Sequence, residues 1–502
     1  MLKYGRLKSR DWLVPLTQAA LLALAVTATL WWTRLNPVTT AQTVLAYLLL
    51  AIPCVAYLRW KQQPETLPLF ALIGFMYWIY YVLVLFWGDL TIQVARASNR
   101  EAPAGMLTSA LLMCFLGLCS LGLGMQARIG RRFIPRRLPE IKLEGFQRNY
   151  LRAVLIVTAL LSIFEPSLYS FGEGGRQIIT IVISLVPLLA FTLLFRLFLR
   201  GEATKVDKAL IFGFMVTRMI VGLSSGWLGA GAALILIAAM SYLADRRRLP
   251  KLAILIVILF SFFFQAGKTE FRATYWTGTA HASQLDRASF WLNISFEKWR
   301  DALEDPSSEG MRRLANQSLS RVSLLTQSAH VLELTPSIVP YQNGALYSYL
   351  VITLVPRYFW PNKPSVSEAN RFYQTAYGVT EEENLDSVAI GVGILTEAFI
   401  NFGWVGVIAI MFLTGTLFDV YQRMLLGPSS GLLLSSLGIV LLPQMLTLES
   451  QMAAYMGGLA QQILLSFVVL LPIIRWTRPR PRLNLTPFPQ DAAQRNPSTL
   501  MS

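Results

Sequence analysis

Long apolar runs alternate with short polar connections along most of this chain. Twelve runs stand out, near 13–32, 41–58, 67–87, 105–124, 150–165, 177–198, 209–223, 227–244, 250–266, 403–421, 431–448 and 457–474. Most come close to the roughly 20 residues that a helix needs to cross a bilayer. The pattern predicts an all-α, polytopic transmembrane protein of about 12 spans. The runs at 150–165 and 209–223 are short, so a tilt or a break is expected there.

One polar stretch interrupts the series. Residues 267–387 are about as long as a small domain and mixed in charge. With the approach to the next run they form one large extracytoplasmic loop, 267–402, between spans 9 and 10. Short helices are predicted in it near 286–304 and 310–333, followed by an extended aromatic-proline segment. The expected organisation is therefore spans 1–9 in 1–266, the loop in 267–402, spans 10–12 in 403–474, and a Pro- and Arg-rich, disordered cytoplasmic tail in 475–502. No internal repeat is visible, which counts against an inverted-repeat transporter.

Composition agrees with the pattern: 54% of the residues are hydrophobic and 14% are charged, too apolar for a soluble chain of 502 residues. The net charge of +16 would suggest nucleic acid in a soluble protein. Here the cations sit in short connections, and no basic-aromatic nucleic-acid module is present. The basic connections are 1–12, 125–149, 199–208, 245–251 and the segment from Arg475 to Arg482. A count of twelve spans with both termini cytoplasmic puts all of them inside. Long loops translocate whatever their charge, so the cations of 267–387 do not oppose this topology. The basic N-terminus looks superficially like a signal peptide, but no small-residue cleavage site follows, and Trp31-Trp32 closes the run as an interfacial belt.

The three cysteines, Cys54, Cys114 and Cys119, lie in apolar runs, so no disulfide staples the loop. The only histidines, His281 and His330, stand alone in the polar loop, where most such residues are simply solvated, and neither makes a transition-metal cluster. Glycine-rich nucleotide loops and a Ser-His-Asp arrangement are absent.

Four stretches could carry chemistry. Val355-Pro356-Arg357-Tyr358-Phe359-Trp360-Pro361-Asn362-Lys363-Pro364 holds two cations on a proline-stiffened backbone, as an anionic headgroup or diphosphate would require. Its bland alternative is an interfacial anchor with snorkelling cations. Arg218 lies deep in an apolar run, followed by the small-residue stretch Gly222-Leu223-Ser224-Ser225-Gly226-Trp227-Leu228-Gly229. A guanidinium there faces a polar cavity or an anionic partner, or else is a satisfied structural arginine beside a glycine-rich helix contact. Lys268 and Arg272 are four residues apart where a span leaves the membrane, so a helix sets both on one face, to bind phosphate or to snorkel. Glu397 is a carboxylate in an apolar run just before a span, placed to act as a general base or to be neutralised by a loop arginine.

Taken in order, these residues resemble the bacterial oligosaccharide repeat-unit polymerases, which include the O-antigen polymerases. The match runs from Arg218 and the Ser-Gly segment, through Lys268, Arg272 and Arg321, to Pro356-Arg357-x-x-Trp360-Pro361-x-Lys363-Pro364, then Glu397-Ala398-x-x-Asn401-Phe402-Gly403. It covers roughly the C-terminal 60% of the chain. The resemblance implies an enzyme of the bacterial cytoplasmic (inner) membrane whose substrates are glycans on an undecaprenyl diphosphate carrier in the outer leaflet. It would polymerise these repeat units into O-antigen or exopolysaccharide, moving the growing chain from its lipid diphosphate onto the next unit. Arg218, Lys268, Arg272, Arg321, Arg357, Trp360 and Lys363 would bind diphosphate and glycan, and Glu397 would serve the acceptor hydroxyl. The scheme calls for no cofactor, metal or nucleotide; its partners are membrane lipids and, in the cell, flippase and chain-length regulator proteins. An O-antigen ligase, a lipid-linked glycan flippase or transporter, and a non-enzymatic assembly partner are the competing readings.

Overall fold

A computed structural model describes residues 10–62, 67–95, 98–135, 138–141, 143–163, 172–276, 282–305, 309–320, 323–355, 360, 362–364, 367–385, 390–427 and 430–477. Helices α1 (Arg10–Trp32), α2 (Thr40–Lys61) and α3 (Leu69–Trp78) open the chain. A π-helical turn at Ile79–Leu83 carries α3 into α4 (Val84–Trp87). A short hairpin, β1 (Thr91–Ile92) with β2 (Arg100–Glu101), leads to α5 (Ala104–Gln126). After β3 (Leu138–Glu140) come α6 (Gly145–Ile163), α7 (Gly172–Arg200), α8 (Lys205–Ser224), α9 (Leu228–Arg246) and α10 (Lys251–Ala266). The polar stretch contributes α11 (Lys268–Tyr275), α12 (Gln284–Glu304), α13 (Glu309–Ser320), α14 (Leu325–Leu334), α15 (Tyr349–Leu354) and α16 (Glu368–Ala376). Then follow α17 (Ile394–Leu425), α18 (Leu432–Met445), α19 (Met452–Leu470) and β4 (Arg475–Thr477).

Among the described residues, six helical stretches are long and apolar enough to cross a membrane: Thr40–Lys61, Leu69–Trp87, Ala104–Gln126, Val182–Arg200, Ile394–Leu425 and Met452–Ile473. Helices α10 and α11 meet at a 55° bend and would make a seventh as one broken span. Leu16–Trp32 and Leu432–Met445 are shorter apolar helices. The two runs expected to be short belong to α6 and α8, whose ends are polar for a definite reason. Asp207 is buried at the start of α8, where Arg148 and Arg152 of α6 converge on it at 2.5 and 2.8 Å.

The core lies along the α5–α17 contact. At Gly124 an added Cβ would strike the Phe412 carbonyl, and at Gly415 it would strike the Leu121 carbonyl. Only glycine lets these two backbones approach so closely, the usual device for packing membrane helices without a hydrophobic driving force. Ser120 adds a hydrogen bond to the Ile408 carbonyl at 2.6 Å.

Contacts between the connections sort them into two ends. At the basic end, Arg196 and Arg200 share Asp245, Arg246 donates to the Leu199 carbonyl, and β3 pairs antiparallel with β4. At the opposite end, Asn36 donates to the carbonyls of Leu85 and Gly88, and Ala95 N–H donates to Gly378. There Arg100 grips Glu333 with both nitrogens at 2.8 and 2.6 Å, and Trp276 donates to the Ser225 carbonyl. The described residues of 267–393 thus dock onto the end away from the basic connections.

Where one helix is expected near 310–333, the structure has two, α13 and α14. Leu324, just before α14, donates its N–H to the Tyr80 carbonyl. The boundary drawn at 402/403 falls on a kink inside α17, at Gly403 with φ 62° and ψ −150°.

Candidate functional site

The polar segment does not merely cap the bundle. Helix α15 lies along α19: Thr353 crowds Gly457, and the Thr353 carbonyl accepts from Gln461 at 3.3 Å. Met452 begins α19 at the polar end, so Gln461 is roughly 13 Å further in at 1.5 Å per residue. The chain therefore dips to about the middle of that helix before it turns at Val355. Lys363 returns to the same place. Its side chain is buried, and its ammonium donates to the Val355 carbonyl at 2.7 Å. Non-helical backbone and a buried ammonium at this depth persist only where protein surrounds them or a polar cavity opens. Trp360 is 41% exposed beside it. Arg357 and Arg321 lie outside the described residues, as does His281.

The motif from Glu397 to Gly403 resolves into a clasp. Glu397 is fully buried in the first turn of α17, and its Oε2 accepts from the Met452 backbone N–H at 2.6 Å. Met452 starts α19, whose first N–H groups have no partner within the helix, so the carboxylate caps that terminus. Among the described residues Oε1 makes no hydrogen bond, and neither does the buried hydroxyl of Tyr347, within electrostatic reach of it. One turn on, Asn401 Nδ2 donates to the Glu397 carbonyl, and its Oδ1 accepts from Gly344 N–H at 3.1 Å. The backbone adds Asn343 N–H to the Asn401 carbonyl and Gln342 N–H to Ile400. At Gly403 a Cβ would approach the Tyr341 hydroxyl to 2.9 Å, in a conformation open essentially to glycine alone. Glu397, Asn401 and Gly403 thus fasten α19 and the 341–344 turn to α17.

Lys268 and Arg272 lie elsewhere, on a helix whose neighbour α12 also packs against the helix of Arg218. The bend after Ala266 starts α11 at Lys268 and sets it against α12, which also packs on α8, the helix of Arg218. The Arg272 guanidinium stacks over the Trp276 ring at 4.1 Å, and Trp276 Nε1 donates to Ser225 at 3.1 Å. The connection after α8 and the bent helix are thereby locked together. Phe264, Phe271 and Trp291 form the apolar floor, with Leu223 and Leu228 against it. Glu270, between the two cations, pairs with Lys298 at 2.7 Å. Arg218 lies six residues before the end of α8, roughly 9 Å below it.

The predicted site residues thus fall in two regions: Lys268 and Arg272 on α11, with Arg218 on the nearby α8, and Glu397 and Lys363 along α19. Helix α7 touches both α8 and α19. Glu397 and Lys363 are set about nine residues apart along α19, roughly 13 Å, so they are not in contact.

Sequence reasoning missed three features. His330 is 3% exposed rather than solvated, because α14 packs into the bundle against α5. A carbonyl can only accept, so His330 Nε2 carries the proton and donates to Tyr377 at 2.9 Å. Burial holds this imidazole below its ordinary range. Next to it Tyr81, Ser328 and Thr396 form a buried hydroxyl chain with both links at 2.8 Å, joining the π-helical turn, α14 and α17. A π turn inside a helix was the one available signal, and it has no simple sequence signature. Asn401 had a signal: Glu397 and Asn401 are four apart, on one helical face.

The model of the family described as a domain of unknown function, DUF8712, matches residues 79–424, and the chain belongs to that family. No curated protein and no solved structure matches it.

Proposed function

We propose that this DUF8712 member is a membrane glycosyltransferase that polymerises undecaprenyl-diphosphate-linked oligosaccharide repeat units on the outer face of the bacterial cytoplasmic membrane. In this reading the chain has twelve spans, both termini lie inside, and the end carrying 267–393 faces outward. The observation that carries it is Lys363: a buried ammonium about half-way down α19, at the foot of a segment that dips in from the polar end. Ionisable residues at such depth mark the paths of charged substrates, and a lipid diphosphate entering a polar cavity from the outer face is a substrate of that kind.

The bond between the growing glycan's anomeric carbon and its diphosphate breaks, and a new glycosidic bond forms to a hydroxyl of the next unit. The leaving diphosphate gains charge, which Arg218, Lys268, Arg272, Arg321, Arg357 and Lys363 stabilise, while Trp360 meets sugar or headgroup. The hydroxyl proton passes to Glu397. One oxygen of that carboxylate is committed to Met452 and the other makes no hydrogen bond among the described residues, an orientation suited to a held base. Reaching it requires the Tyr347 side of the clasp to open.

A lipid-linked glycan transporter is the second reading, favoured by the same mid-depth Lys363 and Gln461. Cells carrying Lys363→Met separate the two. The polymerase reading expects single lipid-linked units stranded on the outer face; a transporter strands them on the inner face. An O-antigen ligase would leave long chains unattached to lipid A core.

A further inference from the structure

The basic end holds a second cationic feature that the glycan reading does not use. Tyr242, Arg246 and Arg248 line a cleft of about 450 Å³. Arg246 is fixed there by its hydrogen bond to the Leu199 carbonyl at 2.6 Å. The nearby carboxylate, Asp245, already accepts from Arg196 at 2.8 and 3.0 Å and from Arg200 at 3.1 Å, so it does not quench the cleft. Arg247, in the left-handed conformation at the end of α9, turns its guanidinium over Trp60 at 5.2 Å. That contact draws in the last turn of α2, with Arg59 and Lys61. Two exposed leucines, Leu249 at 41% and Leu252 at 71%, follow directly.

We propose that this cleft binds the phosphodiester headgroup of an anionic phospholipid. Arginine's planar fork matches a phosphate, the Tyr242 phenol offers a further donor, and the cleft carries surplus positive charge. The adjoining apolar side chains favour a lipid over free phosphate, because they meet the acyl chains of a molecule whose headgroup the arginines hold. The site stands apart from the polar end and does not depend on the enzymatic reading.

The test is native mass spectrometry of the purified full-length protein with dioleoylphosphatidylglycerol or dioleoylphosphatidylcholine. The wild type should retain phosphatidylglycerol preferentially, by roughly five-fold per cation and roughly 25-fold for the pair. Arg246→Gln/Arg248→Gln should lose that preference, whereas Arg132→Gln, which removes one charge from another basic connection as Arg248→Gln does here, should keep it. If the double variant does not fold, Arg248→Gln alone should reduce the preference. An unchanged preference in the variants, or an equal loss in Arg132→Gln, overturns the site. So does millimolar inorganic phosphate that protects the wild type from heating as well as phosphatidylglycerol does, which would mark a free-anion site.

Discussion

The Oε2 atom of Glu397 accepts the backbone N–H of Met452 at 2.6 Å, joining the first turn of α17 to the first turn of α19. A base and a cap make different demands on this carboxylate. Glu397→Gln keeps an acceptor for Met452 but removes the basic oxygen, whereas Glu397→Ala removes both. We expect Glu397→Gln to reach the membrane at wild-type level and melt near the wild type, yet to leave single repeat units unextended on the outer face. Glu397→Ala should also lower the melting midpoint, since losing a helix cap costs about 1 kcal/mol. Normal chain length in Glu397→Gln would leave the residue with the cap alone.

The clasp predicts where stability resides. Asn401→Ala leaves the part-buried Gly344 N–H without its acceptor and should cost about 1–3 kcal/mol. Gly403→Ala forces a side chain into a conformation essentially closed to it and toward the Tyr341 hydroxyl, for about 1–3 kcal/mol more. Thermal unfolding in detergent measures both. Wild-type midpoints would contradict the clasp.

The outer cations should act as a set that needs guanidinium geometry. Arg272→Ala should reduce chain extension by roughly a hundred-fold, and Arg272→Lys should remain impaired, because an ammonium neither forks nor stacks on Trp276 in the same way. Arg300→Ala, at an exposed position on α12, serves as the control and should extend chains normally. Extension at the wild-type rate by both Arg272 variants would remove this arginine from the site.

Acid should loosen the docked outer segment, with a sign set by two groups. Burial depresses the His330 imidazole below 6.5, so the stability it lends is complete above that value and is lost as pH falls through its folded-state value. The Arg100 hydrogen bond depresses Glu333 below 4.5, so its contribution survives until lower pH. The melting midpoint should therefore fall through His330 as pH drops below 6.5. His330→Gln, which retains a donor for Tyr377, should flatten that fall. An identical pH profile in the variant would exclude His330.

Much of this frame is legible in the sequence because burial in a bilayer needs little more than length and apolarity. The runs at 41–58, 67–87 and 105–124 return as α2, α3–α4 and α5. The helix expected near 286–304 is α12. Other features depend on partners distant in the chain. Leu324, at the start of α14, bonds Tyr80, and His330 is buried because α14 meets α5. The depth of Lys363 follows from its bond to Val355, beside the contact of Thr353 with Gln461, 108 residues further along the chain. Glu397 stood out as a carboxylate among apolar residues, but its bond to Met452 has no local signature.

The proposed topology turns the two-ended sorting of the connections into an accessibility test. Single cysteines at Arg300 and Pro340 should react with an impermeant reagent added outside, whereas cysteines at Pro135 and Ala203 should react only after permeabilisation. Protection at Pro340 would set the dipping segment on the wrong face for an outer-leaflet substrate.

The central claim is bond formation at the outer face. Purified protein in vesicles should be given undecaprenyl-diphosphate-linked oligosaccharide from the outer side, without nucleotide, and the glycan length read by mass spectrometry. The account predicts a ladder of products that grows by whole repeat units, with one undecaprenyl diphosphate released per bond, and no ladder with Lys363→Met or Glu397→Gln. Unextended units that merely cross the bilayer with the wild-type protein would contradict it.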